Sequence, residues 1–205
     1  ESKRVITRRD FLRTSSYMAM GSLIALPLMG RAADAKTDKS RVVLIRDKHV
    51  MDGSGALRPG NLADMMDQAM ITLFNTSNAA MAWRQLFDPV DVVGIKSNVW
   101  ARLPTPRELE NILQERLVAA GVKEQNISVD DRGVRSNPIF RNSTALINVR
   151  PMRTHHWSGL GTLLKNYIMF ASQPWKYHGN ACETLGAIWQ KSHVKDKTRL
   201  NILVM

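Results

Sequence analysis

Polar residues that could bind an anion or transfer a proton follow three apolar segments of this sequence. The segments VDVVGIKSN, NISVDDR and TALINVRPM have the apolar, β-branched composition of buried strands. The polar residues at their ends are, in chain order, Lys96, Ser97 and Asn98, then Asp130, Asp131 and Arg132, then Arg150, Arg153, His155 and His156. Because ligands of open parallel α/β sheets bind outside the carboxyl ends of the strands, we expect these side chains to share one site.

The stretch RTHHWSGLGTLLKNY, residues 153–167, continues the last of these segments. SGLGT before a predicted helix favours backbone N–H groups turned toward an anion, and Lys165, about one turn into that helix, would add a point charge. The stretch lacks the Gly-Lys-Ser/Thr ending of a P-loop and the third glycine of a dinucleotide fingerprint. It therefore predicts one wall of an anion-favouring pocket, to which Lys165 and Asn166 contribute more than the histidine pair.

Two kinds of chemistry are open to these polar residues. For binding an anion, the candidate residues are Lys96, Asn98, Arg132, Arg153, Lys165 and Asn166. For acid–base catalysis, the candidates are His155 or His156 paired with Asp130 or Asp131. A metal site would draw on His155 and Asp130, but adjacent histidines on an extended chain point to opposite sides, so at most one of them faces a given ligand.

Cys182 is the single cysteine of the chain. A buried apolar thiol is its most typical role, ahead of a nucleophile. One cysteine excludes an internal disulfide, and it excludes a four-cysteine iron–sulfur cluster built from this segment alone. The cofactor, if there is one, is unknown at this stage.

The first 35 residues have the pattern of an export signal. A basic front is followed by the apolar run YMAMGSLIALPLM and by a small-residue exit, in which Ala33 and Ala35 mark the predicted cleavage site. The residues that match the twin-arginine translocation pattern are Arg8, Arg9, Phe11 and Leu12. The apolar run is shorter than the ~20 residues that a membrane span needs, so we expect no permanent span unless the signal stays uncleaved. The sequence thus predicts a periplasmic or otherwise exported protein, with the twin-arginine export machinery as a partner.

The net charge of the chain is +11, and the signal accounts for only part of it. The first 35 residues hold six of the 29 basic and three of the 18 acidic residues, so the remainder keeps 23 against 15, a net charge of +8. Such a charge suits an anionic ligand or an acidic partner protein. Nucleic acid is not expected, because the basic residues are scattered and no binding motif is present.

Strand and helix patterns alternate along the rest of the chain. RVVLIRD at 41–47 predicts a first strand, NLADMMDQAMITLFN from position 61 a helix, and LNILVM a fifth strand. TPRELENILQERLVAAG predicts a helix with a capping box formed by Thr105 and Glu108. The order indicates an α/β protein with a mainly parallel sheet, formed as a single domain over residues 36–205. The start at Glu1 and the end within an apolar strand suggest a fragment.

Three of these segments together resemble the family catalogued as domain of unknown function 362. They are VVGIKSN after a strand, TPRELENILQERLVAAGV as the next helix, and LINVRPMRTHHWSGLGTLLKNYIM. The resemblance covers about residues 42–205 and implies an α/β domain, in some members joined to iron–sulfur modules or exported with a twin-arginine signal. The positions that match are Lys96, Asn98, His155, Lys165 and Asn166. Arg153 stands where many members carry lysine, and no cysteine cluster is present, so the resemblance implies no iron–sulfur centre in this chain.

The favoured hypothesis is an exported, redox-associated α/β protein that binds a cofactor or another anion. The twin-arginine pattern supports this reading, because that route carries proteins already folded, often around a cofactor. One alternative is a periplasmic hydrolase or transferase that uses an Asp–His acid–base pair. The other is a non-catalytic subunit of an envelope complex, whose positive face docks a redox or envelope partner protein.

Overall fold

The computed structural model describes residues 40–205, of which 41–205 form one compact unit. The predicted signal lies outside these residues, as do its cleavage site and the predicted domain boundary at residue 35. Within the described part, no helix is both long enough and apolar enough to cross a membrane.

The described residues form an α/β fold, as the alternation of patterns predicted. The helices are α1 (Pro59–Phe74), α2 (Ala79–Leu86), α3 (Arg107–Ala119), α4 (Pro138–Arg141) and α5 (Leu163–Asn166). The strands are β1 (Val93–Lys96), β2 (Ile127–Asp130), β3 (Ala145–Pro151), β4 (Arg153–His155), β5 (Gly159–Gly161) and β6 (Thr198–Val204). Four short 3-10 segments complete the fold, at Glu124–Asn126, Tyr167–Phe170, Pro174–His178 and Asn180–Gln190.

Four parallel strands form the main sheet, in the order β2-β1-β3-β6. The crossover from β1 to β2 contains α3, and the crossover from β2 to β3 contains α4. The connection from β3 to β6 is the longest and holds the antiparallel β4–β5 hairpin, α5 and three of the 3-10 segments. The carboxyl ends of β1, β2 and β3, where the polar residues were predicted to share a site, therefore lie on the same side of the sheet. This side is called the carboxyl edge, or simply the edge, below.

Two apolar clusters cover the two faces of the sheet, because successive residues of a strand point to opposite faces. The first cluster combines Val93 and Ile95 of β1 with Met70, Trp83 and Leu113 of the three longer helices. The second contains Leu146 of β3, with Phe140, Tyr167, Cys182 and Ile188. Cys182 is buried there, which agrees with the role predicted for it.

The first predicted strand, residues 41–47, is not formed. The segment pairs with no strand of the described part, and the side chains of Val42 and Leu44 are 88% and 60% exposed. Its anchor is a side chain instead, since Arg41 Nη1 donates to the Leu73 carbonyl at the end of α1. A β-branched segment forms a strand only when another strand pairs with it. The sequence of the segment does not show whether such a partner is present.

The predicted capping box of α3 is also not formed. The helix begins at Arg107 after Pro106 and has no side-chain cap. Thr105 Oγ1 accepts a hydrogen bond from the Asn98 amide instead, so this hydroxyl secures the loop after β1. The residue that the pattern assigned to the helix thus helps to position the predicted site.

Candidate functional site

The site is built on the face of the sheet that carries the second apolar cluster. Along this face β1 and β3 present Gly94 beside Leu146 and then Lys96 beside Asn148, with Arg150 farther along β3. A Cβ on Gly94 would lie 2.8 Å from the Phe140 ring, so glycine is needed where the apolar cluster packs closest. The same face therefore changes from apolar to polar toward the carboxyl ends of its strands.

Helix α5 covers the polar end of this face. The Asn148 side-chain amide donates to the Leu163 carbonyl at 3.1 Å, and Arg150 Nη1 donates to the Thr162 carbonyl at 3.3 Å. The helix has only four residues, and SGLGT before it forms β5 of the hairpin rather than a loop. The predicted loop is therefore not formed, because Gly159–Gly161 pair with β4 instead. The side chains around α5 are the remaining candidates for binding an anion.

Lys96 is held in a closed network at the centre of the edge. Its side chain is 0% exposed, and its Nζ donates to Asp131 Oδ1 at 2.5 Å and to the Ser97 carbonyl at 2.6 Å. Asp131 Oδ2 also accepts from the Val99 amide at 2.9 Å. Burial lowers the pKa of Lys96 to about 8, although the neighbouring Asp131 carboxylate favours the charged amine. Both charged groups are thus satisfied inside the protein.

Asn166 links this network to the sheet. Its Nδ2 donates to the Lys96 carbonyl at 3.0 Å, to Asn148 Oδ1 at 2.9 Å and to the Val149 carbonyl at 3.1 Å. Its Oδ1 lies 3.4 Å from both Lys96 Nζ and Asn98 Nδ2. The structure thus brings Asn166 together with Lys96 and Asn98, and the side-chain amide of Asn166 makes its hydrogen bonds within the protein. Their predicted role in ligand binding stays a prediction.

Arg150 and Arg153 bring two guanidinium groups to the same edge. Arg153 Nη1 donates to Asn98 Oδ1 at 2.8 Å, and its guanidinium lies 4.2 Å above the Trp100 ring. Arg150 is only 1% exposed, and its Nη2 has no hydrogen-bond partner. Burial, then repulsion from Arg153, lowers the pKa of Arg150 to about 10. A buried guanidinium nitrogen without a partner is costly, so an acceptor from outside would stabilise it.

Lys165 lies beside two imidazole rings. Its side chain is 8% exposed, and its Nζ is 2.9 Å from His178 Nε2. The rings of His178 and His155 are stacked with centroids 5.7 Å apart, and the hydroxyl of Ser158 is 2.9 Å from His155 Nδ1. Burial, followed by repulsion from Lys165 and other cations, lowers the pKa of His155 to about 4. His155 is therefore neutral at neutral pH. Neither imidazole supplies a negative charge that could neutralise Lys165.

The structure does not bring every predicted residue into this site. Asp130 accepts from the Gly133 amide and from Asn137 Nδ2, which makes it the cap of the turn after β2. Arg132 and His156 are exposed, and His156 packs against the exposed Trp157. The predicted Asp–His pair is not formed within residues 40–205, because Asp131 bonds to Lys96 and Asp130 to the turn.

The metal ligands considered from the sequence are not assembled either. The described residues contain no group of three or more His, Cys, Asp or Glu side chains that could hold a metal ion. A cavity of about 340 Å³ is a separate feature, lined by Trp189, Gln190, Val194, Lys195, Asp196 and Thr198. None of the predicted site residues lines this cavity, so it is not part of the candidate site.

Sequence reasoning missed three contributors to the site. Asn148 lies inside a predicted apolar strand, Arg150 was expected at the strand end without a binding role, and His178 belongs to none of the predicted anion-binding or acid–base candidates. Alternation along β3 could have revealed the first two, since positions 146, 148 and 150 share a face. His178 comes to Lys165 through the long connection, which no local pattern indicates.

The arrangement concentrates positive charge at one place. Lys96, Arg150, Arg153 and Lys165 are gathered there, and Asp131 is the one carboxylate in the described part of the chain that hydrogen-bonds to any of them. Because Lys96 is already paired, Arg150, Arg153 and Lys165 are the cations of this group that could bind a carboxylate or a phosphate. No protein-family model, no curated protein and no solved structure matches this chain. The resemblance to domain of unknown function 362 accordingly stays a prediction.

Proposed function

We propose that this chain is an exported α/β protein that binds a small anion, or the anionic group of a cofactor, at the carboxyl edge of its sheet. The observation that carries the proposal is the unpaired Nη2 of Arg150, which is buried among an excess of cations. When Lys96, Arg150, Arg153 and Lys165 are all protonated, Asp131 leaves three positive charges uncompensated. An anion is the ligand that such a place favours.

Export and redox association rest on the sequence alone. The twin-arginine pattern with Arg8 and Arg9 supports export, and the resemblance to domain of unknown function 362 supports an association with redox proteins. The Asp–His hydrolase or transferase receives no support from the contacts of Asp130 and Asp131. A role as a non-catalytic subunit of an envelope complex stays a prediction. Binding measurements on the isolated protein can distinguish it from the proposed anion-binding function.

Calorimetric titration of the exported full chain with oxalate and with inorganic phosphate, at low ionic strength, tests the proposal. We expect Arg150→Gln and Arg153→Gln to weaken binding by about tenfold or more each, because a hydrogen bond to a charged group contributes roughly 1.5–3 kcal/mol. Arg132→Gln is the matched control, since it removes the same charge from an exposed position. We expect it to change the affinity less than about twofold.

Equal losses in all three variants would mean that only the net charge of the protein attracts the anion. No measurable binding to the wild-type protein would refute the proposal. In that case, salt-sensitive association with an acidic envelope protein would favour the non-catalytic subunit.

A further inference from the structure

Lys165, like Arg150, is a buried cation without a negative partner among the described residues. Its side chain is 8% exposed, and the ion pairs within residues 40–205 are those of Lys96, Arg116 and Arg199. Buried lysines are rare unless a carboxylate neutralises them. The stability of the fold therefore gives no reason for an amine at this position.

The hydrogen bond to His178 determines what this amine can do. With Nζ and Nε2 only 2.9 Å apart, the amine and the imidazole share a hydrogen bond, and the tautomer of His178 determines which of them is the donor. A neutral imidazole tolerates a neutral amine as its partner, whereas a carboxylate would hold the amine charged. Burial lowers the pKa of Lys165. Cys182 opposes this effect, and weaker repulsion from Arg150 and Arg153 adds to it. A lysine next to other cations is a recognised way to obtain a nucleophilic amine.

The surroundings of Lys165 also specify what the amine could meet. The unpaired Nη2 of Arg150 is a donor for a carboxylate. Its Nη1 donates to the Thr162 carbonyl, which also accepts from the Lys165 amide, so the Arg150 guanidinium lies at the start of α5. Trp157 packs against His178, the partner of Lys165, with ring centroids 4.7 Å apart. An exposure of 8% leaves access only to a small molecule. These features match a short molecule with a negative group next to its reactive carbon.

We propose that Lys165 forms an imine with a small 2-oxo acid, whose carboxylate is bound by Arg150. The Nζ lone pair attacks the carbonyl carbon, and a proton of the amine passes to the carbonyl oxygen through His178. The resulting hydroxyl leaves as water with a second proton, so that one amine and one carbonyl give one imine and one water, with no change of oxidation state. This inference rests on the proposed anion site, which would hold the acid in place.

Reductive trapping of the exported full chain tests the inference. The protein is incubated with glyoxylate, reduced with sodium borohydride and digested, and the adduct is located by peptide mass spectrometry. We expect several-fold more adduct at Lys165 than at the exposed Lys176, because a lowered pKa leaves more of the amine unprotonated at neutral pH. Phenylpyruvate, which is bulkier, should give no excess at Lys165, because that residue is only 8% exposed.

Two variants sharpen the result. His178→Gln should reduce the rate of trapping about tenfold while Lys165 stays the modified residue, since proton transfer of this kind contributes at least 10²-fold in well-ordered sites and water replaces part of it. Arg150→Gln should abolish the preference for glyoxylate over the uncharged acetaldehyde. Adduct spread evenly over Lys165, Lys176 and Lys195 would overturn the inference.

Failure of the inference and failure of the proposed function are distinguishable. If oxalate binds to the wild-type protein but no adduct forms at Lys165, the anion site stands and the imine does not. If oxalate does not bind and no adduct forms, both fail. An adduct at Lys165 that does not depend on Arg150 would retain the amine chemistry but refute the proposed carboxylate contact.

Discussion

Two buried lysines lie at the same edge of the sheet in opposite surroundings. Lys96 is 0% exposed and donates to the Asp131 carboxylate and to the Ser97 carbonyl. Lys165 is 8% exposed, and the partner of its Nζ is the imidazole of His178. A buried charge needs a counter-charge or it costs free energy, so the two lysines cannot serve the same purpose. Lys96 thus links the ends of the strands through its hydrogen bonds, whereas Lys165 has no carboxylate partner, as the proposed imine requires.

The largest effect is expected from removing the paired lysine. Lys96→Met leaves Asp131 buried with the Val99 amide as its hydrogen-bond donor, and we expect the free energy of unfolding to fall by about 3–5 kcal/mol. Urea denaturation followed by circular dichroism measures the loss. The double variant with Asp131→Leu should lose less than the single variant, because the unpaired carboxylate is gone as well. A loss below about 1 kcal/mol for Lys96→Met would remove the basis of the comparison.

A moderate effect is expected from pH, through the imidazoles around Lys165. The pKa of His155 is about 4 in the folded protein, against an ordinary value of 6.5, so between these pH values the unfolded chain binds a proton that the folded chain does not. Stability is therefore greatest above pH 6.5 and falls as the pH drops toward 4. Because the ring is partly open to solvent, the expected loss is only about 1–2 kcal/mol.

Urea denaturation at pH 7 and pH 4.5 measures this loss. His155→Gln should flatten the profile in that range, leaving the smaller contribution of His178, whose pKa is also lowered by burial and by Lys165. An unchanged profile would show that the ring is solvated in the folded protein.

The smallest effect on stability is expected from the unpaired lysine. Lys165→Met keeps most of the side-chain volume and removes one hydrogen bond to a neutral ring, so the free energy of unfolding should change by less than about 1 kcal/mol. The same urea experiment measures it beside Lys96→Met. A loss as large as that of Lys96→Met would assign both lysines a structural role, and the imine inference would then depend on trapping alone.

The polar strand ends were predictable because they depend on local patterns and on one topological rule. Apolar runs identified β1, β2 and β3, and the parallel order places their carboxyl ends together. Residues 41–47 have a similar apolar composition, yet they form no strand in the described structure. The difference lies in pairing, since β1 has a strand on either side and the run at 41–47 has no neighbour that completes its hydrogen bonds.

The pairing of charges was less predictable than their presence. Asp130 and Asp131 are adjacent in sequence and equivalent as carboxylates, but one caps a turn and the other neutralises Lys96. The choice depends on which way the chain turns after β2, and a single residue of difference reverses the side on which a strand residue points.

The sequence alone thus determined that this protein is α/β with a mainly parallel sheet, and that basic and amide side chains follow its strands, because periodicity and composition are local properties. It also supplied the export pattern of residues 1–35 as a prediction. Only the tertiary structure decided that Asp131 belongs to Lys96, that Arg150 keeps a nitrogen without a partner, and that His178 reaches Lys165. Those outcomes depend on contacts between residues far apart in the chain, where burial sets the value of each charge.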